Sequence, residues 1–284
     1  MTDFSKYHLA EAPRINTAIP GENSKRLLAL QEEMEGSIVS YPKSIPIAIK
    51  RAKGAVIEDV DGNLFLDFFA GAGVLNVGHS NADVLEYVKK QQELLIHALD
   101  FPTQNKIDAI SKIINALPEH LRADYKVCFG GPTGSDAVEA AIKLAKIKTG
   151  RDTIISFSGG YHGMSAGALA LTSDVNFRKR FSALIPNVHF APYPYCYRCP
   201  LGKVPESCGT DCFSFLKNMI EDSHSGINLP AAIIIEPIQG EGGNIPFKEG
   251  YLEKLVALAN KHGIMVIFDE IQAGFSVLVN FFHS

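Results

Sequence analysis

From Ala55 the chain alternates apolar and polar side chains through VIEDVDGNLFLDFF, and the alternation turns about Asp61–Gly62. A period of two around an Asp-Gly pair predicts an antiparallel hairpin. Upstream, the first forty residues are polar and mixed, with one short helix expected around Arg26–Glu35. Downstream, a glycine-rich passage, Ala70–Gly78, leads into a predicted helix over Asn81–Leu95 with Ser80 or Asn81 as its cap. A further helix is expected over Lys106–Leu117, stopped by Pro118. Beyond it, short β-branched runs alternate with helical stretches: YKVCF, a helix over 135–148, TIISF, AAIIIEPI, a helix over 248–261, and IMVIFDEI. Strands that are apolar on both faces and separated by helices predict a parallel sheet covered by helices, an α/β fold. The large α/β domain then spans 71–284, and 1–70 forms a smaller, separate piece.

Composition narrows the picture. A chain of 284 residues that is 46% apolar can build a large core, and its net charge of −4 leaves no basic footprint for nucleic acid. No apolar run approaches the ~20 residues that span a bilayer. The start, MTDFSKYHLAEAPR, lacks the order of a signal peptide, so a cytoplasmic protein is expected. Four of five cysteines cluster in CYRCPLGKVPESCGTDC: Cys196, Cys199, Cys208 and Cys212. The C-x2-C and C-x3-C spacing is close to that of a structural zinc site; four reduced thiols in a surface loop are the other reading. Cys128, inside YKVCF, reads as a buried core residue.

Four passages at strand exits carry candidate chemistry. Gly130-Gly131-Pro132-Thr133-Gly134-Ser135 follows one strand and opens a helix, where glycines, hydroxyls and a helix N-terminus together suit a phosphate. A glycine-rich turn with Ser135 as helix cap is the plainer alternative. In Ser158-Gly159-Gly160-Tyr161-His162-Gly163 an aromatic residue stands at a strand end, placed to stack on a flat ring or simply packed on the core. The exit Glu236-Pro237-Ile238-Gln239-Gly240-Glu241-Gly242-Gly243 is acidic and glycine-rich, which is costly as packing and suited to a ligand. Last, Asp269-Glu270-Ile271-Gln272 ends an apolar strand in acid. A buried carboxylate there stays ionised beside a cationic partner, and a protonated pyridine nitrogen is one.

Taken jointly, RAKGAVIEDVDGNLFLDFFAGAGVLNVGH, PTGSDAVEAAIKLA, the YHG triplet, EPIQGEGG and VIFDEIQAGF resemble the class III (ornithine/4-aminobutyrate type) aminotransferases, fold-type I enzymes that use pyridoxal 5'-phosphate. The resemblance runs from about Tyr41 to Phe275. It implies that Gly134 and Ser135 hold the cofactor phosphate, that Tyr161 stacks on the ring beside His162, and that Asp269 pairs with the pyridine nitrogen. Gln272 is implied near the ring hydroxyl, Ile271 under the ring face and Glu236 in support. Glu241 is similar to the family's glutamate that pairs with an arginine and helps the site accept two substrates. The loop holding the cysteines is similar to that of members acting on ω-amino groups, such as diaminobutyrate or 4-aminobutyrate aminotransferases, with an oxo acid such as 2-oxoglutarate as acceptor. Relatives act as homodimers. Racemases and aminomutases share these motifs, and a non-catalytic ligand- or metal-binding form of the fold is the rival from another class.

The resemblance also implies that the family's Schiff-base lysine falls beyond residue 284, with the rest of the small domain; Lys254 and Lys261 lie on the intervening helix. An inactive chain is expected on that ground. The family usually continues after Gly-Phe with a small residue and RTGKFF. Written in one choice of codons and read one base out of phase, that peptide gives residues Val277 to Phe282. A tail read out of frame is the expectation; a short apolar C-terminus is the alternative.

Overall fold

The computed structural model describes residues 5–9, 12–181 and 183–275. Its contacts divide the chain into two units, Met1–Ile107 and Asp108–Ser284. The tail read as out of frame lies outside the described residues.

In the first unit the expected hairpin is β2 (Val56–Asp59) paired with β3 (Leu64–Leu66), and β1 (Ile49–Lys53) adds on β2, all antiparallel. The turn is built by Asp59. Its Oδ1 accepts the amides of Asp61 and Asn63 at 2.9 and 2.8 Å, and its Oδ2 accepts Asn63 Nδ2 at 2.7 Å. A side-chain carboxylate that closes its own turn explains why Asp is favoured there. The same turn caps a helix. Glu22–Met34 starts after Gly21, which has no capping side chain, and Asp61 accepts the amides of Asn23 and Ser24 at 2.9 Å instead. Helix Ala82–Gln92 is capped by Asn81, which accepts from Asp83 and Val84.

The second unit holds the parallel sheet. Its strands are β4 (Ile154–Phe157), β5 (Val188–Ala191), β6 (Ala232–Ile235) and β9 (Met265–Phe268), in the spatial order β5-β4-β6-β9. A small antiparallel pair, β7 (Ile238–Gln239) and β8 (Ile245–Pro246), follows β6. Alternate side chains of the central strands face opposite cores. Ile155, Phe157, Ile233 and Ile235 pack with Tyr193, Leu216, Tyr251 and Leu255, while Ile154 and Ile234 pack with Val138, Ile142 and Leu171. That is why these runs are apolar at nearly every position rather than at every second one, with the buried Ser156 satisfied by donating to Leu171 O at 2.7 Å. From β4 the chain steps outward to β5 and then returns to the other side of β4 as β6. Strand order therefore reverses between β4 and β6, and open α/β sheets bind ligands outside the strand ends at such a point.

Two expectations fail here. Residues 125–129, YKVCF, form no strand, and Cys128 is exposed rather than buried. An extended run needs a neighbour for its backbone groups, and none of the four described parallel strands lies beside it. Conversely β5 and the helix Asp211–Glu221 were not anticipated.

That helix is tied to Tyr251–Lys261 by Glu221, which accepts Lys261 Nζ at 2.7 Å and His262 Nε2 at 2.9 Å. These bonds hold its carboxyl down, from the ordinary 4.5 to about 2. A lowered carboxyl stabilises the fold above its unfolded-state value, and the contribution is lost as pH falls through the folded one. Glu221→Gln should therefore flatten the decline of the urea midpoint between pH 4.5 and about 2, and an unchanged acid limb would refute the linkage.

Candidate active site

Three strand exits and one helix start converge at the switch point of the second unit. After β4, Gly160 N donates to Phe157 O at 3.0 Å and closes a tight turn. The next two residues are fixed from other elements. Tyr161 N donates to Glu236 Oε1 at 2.9 Å, and His162 N donates to Thr172 Oγ1 at 2.9 Å. Glu236, at the end of β6, also accepts Gly240 N through Oε2 at 3.0 Å, so one buried carboxylate ties two loops together. Burial pushes its carboxyl up, against the pull of the Gly240 and Tyr161 amides. Gln239 Nε2 adds a bond to Ser158 O at 2.9 Å.

Asp269 leaves β9 with its amide still on the ladder, donating to Ile235 O at 2.9 Å. Its Oδ2 lies 2.7 Å from His162 Nδ1, with the two side chains 5% and 1% exposed. A carboxylate only accepts, so Nδ1 carries the hydrogen. His162 Nε2 is buried and finds no hydrogen-bond partner among the described residues. His162 thus meets the site through Asp269, a connection across 107 positions that no local pattern encodes.

Opposite, the Gly134–Thr149 helix begins with a capping box in which Thr133 and Asp136 satisfy each other's backbone amides. Its first turn approaches the β9 exit closely: a Cβ on Gly134 would come within 2.8 Å of Ile271. Ser135 Oγ accepts Met164 N at 3.1 Å, which brings the helix start to the Tyr161 loop. Gln272 lies against Gly240, where a Cβ would overlap its Oε1. Gly240→Ala should accordingly displace Gln272. We expect weaker binding at the site with a small change in the urea midpoint; full binding in this variant would show that Gln272 can move freely.

Gly134, Ser135, Tyr161, His162, Glu236, Asp269, Ile271 and Gln272 are therefore brought together. Tyr161 packs edge-on to Phe177, with ring centroids 5.6 Å apart, and both line a cavity of about 360 Å³ together with Ser173, Asp174 and Glu241. Thr172, Ser173 and Phe177 carry no sequence signal, since none of them stands at a strand exit. Tyr193 is likewise outside the set expected from sequence; its hydroxyl donates toward the carbonyls of Glu236 and Pro237 at 3.1 Å.

The zinc reading gains no support. Among the described residues no three His, Cys, Asp or Glu side chains are arranged around a metal position. Cys212 belongs to the core with Leu216 and Met219, on the inner face of its helix, and burial pushes its thiol up. Neither intervening-helix lysine approaches the strand exits: Lys254 Nζ reaches Thr210 Oγ1 at 3.5 Å, and Lys261 pairs with Glu221.

The donor set suits pyridoxal 5'-phosphate. A helix start with adjacent hydroxyls matches a phosphate, a buried carboxylate matches a pyridinium nitrogen, and an aromatic and an aliphatic side chain match the faces of a flat ring.

Comparison with known proteins agrees with this geometry. The family model for class-III aminotransferases matches residues 39–282. Diaminobutyrate--2-oxoglutarate aminotransferase of Haemophilus influenzae is 43% identical over 255 residues, which are 89% of this chain and 56% of that protein. A transaminase structure from directed evolution by ancestral reconstruction superposes with a TM-score of 0.80 at 28% identity, covering 92% of this chain and 59% of that one. An amine transaminase from an uncultivated Pseudomonas species, solved with pyridoxal phosphate bound, gives 0.72 at 28% identity over 85% and 56%. The chain belongs to the class-III aminotransferases, a family of pyridoxal-phosphate enzymes with this fold. It spans a little over half the length of the curated relatives it matches.

Proposed function

We propose that this chain forms the cofactor-binding body of an aminotransferase that moves an amino group from diaminobutyrate to 2-oxoglutarate. The observation that carries the reading is the buried Asp269–His162 pair, set at a strand exit across from the Gly134 helix start. Pyridoxal phosphate, when bound, supplies an electron sink for the carbon that loses its proton. The protein's part is to hold it. The first turn of the Gly134 helix and the Ser135 hydroxyl take the phosphate. Asp269 keeps a proton on the pyridine nitrogen, and His162 fixes the orientation of that carboxylate. Tyr161 and Ile271 cover the ring faces, Gln272 meets the ring hydroxyl, and Glu236 pins the two loops that carry these groups. Glu241, at the cavity rim, faces incoming substrate. The donor is assigned from the relatives' names, diaminobutyrate--2-oxoglutarate aminotransferase among them.

Residues 1–70 belong with the small domain and 71–284 with the large one, and the working enzyme is a cytoplasmic homodimer. No helix among the described residues is long and apolar enough to cross a membrane. Lys254 and Lys261 are engaged away from the strand exits, and residues 1–284 alone are expected to hold the cofactor reversibly without turning over. Glutamate formation from 2,4-diaminobutyrate and 2-oxoglutarate tests this. A polypeptide of the relatives' full length should form it, with diaminobutyrate preferred to 4-aminobutyrate, and residues 1–284 should not exceed a cofactor-only control. Failure of the long form with either donor, or turnover by the short one, would overturn the assignment.

A further inference from the structure

We propose that Glu139 is a positioning residue for the cofactor site, coupling the phosphate-binding helix to the loop that carries Tyr161 and His162. This rests on the function proposed above. Glu139 lies one turn beyond Ser135 on the Gly134–Thr149 helix, where an i+4 residue shares its face. Its Oε1 accepts three hydrogen bonds from one short segment: Ser165 Oγ at 2.6 Å, Gly167 N at 2.8 Å and Ala168 N at 3.2 Å. These donors begin the Ala166–Leu171 helix. Ser165 is its N-cap yet makes no cap bond of its own, so Glu139 does the capping from a neighbouring helix. A Cβ on Gly167 would overlap the Glu139 carboxylate, so the approach is close.

The same segment is gripped one turn earlier, where Met164 N donates to Ser135 Oγ at 3.1 Å. At its far end Thr172 closes the circuit: its Oγ1 accepts His162 N at 2.9 Å and donates to Gly163 O at 3.1 Å. His162 in turn meets Asp269. The phosphate turn, the ring-stacking loop and the pyridine-facing carboxylate are thereby joined through one charged acceptor. Hydrogen bonds to an ionised carboxylate are the strong kind, and three of them meet on one oxygen of this half-buried glutamate. Glu139 itself lies outside the set of residues expected to contact ring or phosphate.

The test compares the wild-type chain with Glu139→Ala and Glu139→Gln by titration with pyridoxal phosphate, read by induced visible circular dichroism. Inorganic phosphate serves as a competitor that needs the helix start alone. Loss of the clamp should weaken pyridoxal phosphate binding by roughly 10- to 100-fold in Glu139→Ala and reduce the dichroic signal at saturation. The inhibition constant for phosphate should stay at its wild-type value. Glu139→Gln keeps an acceptor oxygen without the charge and should recover a large part of the affinity and signal lost in Glu139→Ala. If far-ultraviolet dichroism shows Glu139→Ala unfolded, Ser165→Ala takes its place under the same criteria.

Wild-type affinity and signal in the deleted variant would overturn the inference. So would equal weakening of phosphate and pyridoxal phosphate, which marks a merely structural effect on the helix. If the wild-type chain itself binds no pyridoxal phosphate, the functional reading fails, and this inference with it.

Discussion

Asp269→Ala should unfold at a markedly lower urea concentration and bind no pyridoxal phosphate, whereas Asp269→Asn should fold nearly as well as wild type and still fail to bind. The two outcomes separate because Asp269 has two tasks. It accepts the His162 Nδ1 hydrogen inside a nearly dry site, with the side chains 5% and 1% exposed. Deleting it leaves both His162 ring nitrogens without partners, since Nε2 already has none among the described residues. Leaving buried polar atoms unsatisfied in this way costs about 1–3 kcal/mol. Asparagine retains an oxygen for the Nδ1 hydrogen, so most of that stability remains. It cannot supply the negative charge a pyridinium nitrogen needs, and affinity should drop roughly 100-fold or more. Urea midpoints together with cofactor titration check both halves. Normal binding by Asp269→Asn would mean that the carboxylate serves the fold alone.

Phe157→Ala carries the second large effect. Phe157 is 1% exposed, ends β4 and packs edge-on to Tyr193 with ring centroids 6.1 Å apart. Large-to-small changes at such aromatic core positions cost about 3–5 kcal/mol through lost transfer and the cavity left behind. The consequence also reaches the site. Tyr193 holds the carbonyls of Glu236 and Pro237, and Phe157 O anchors the turn that precedes Tyr161. Denaturation should therefore shift to lower urea while the slope with denaturant stays constant. A midpoint within experimental error of wild type would show that the core repacks around the void.

How much of this was readable depends on what each feature needs. The central strands were legible in TIISF and AAIIIEPI because burial on both faces makes nearly every position apolar or β-branched. The hairpin was legible because Asp59 and Gly62 write their own turn. Candidate residues could be picked because an α/β sheet delivers chemistry at strand exits: Glu236 and Asp269 follow β6 and β9 directly, and Tyr161 lies four residues past the end of β4. What failed depended on neighbours. YKVCF has the composition of a strand, but composition cannot supply the adjacent backbone that turns a run into one. In the Asp211–Glu221 helix, Cys212, Leu216 and Met219 follow helical spacing, a signal overshadowed by metal-like cysteine spacing. Glu139 stayed hidden because a glutamate on an amphipathic helix is ordinary in sequence, and only the fold reveals three donors on one of its oxygens. The His162–Asp269 pair joins two of the candidate residues by a bond that only the packed sheet creates.

The most direct test of the central claim is an equilibrium titration of residues 1–284 with pyridoxal phosphate, followed by induced visible circular dichroism. Our account predicts a saturable signal with one cofactor per chain, displaced by inorganic phosphate and lost on dialysis. A signal that never saturates, or one that inorganic phosphate leaves untouched, would contradict the assignment of the Gly134 helix start and Asp269 to the two ends of one cofactor.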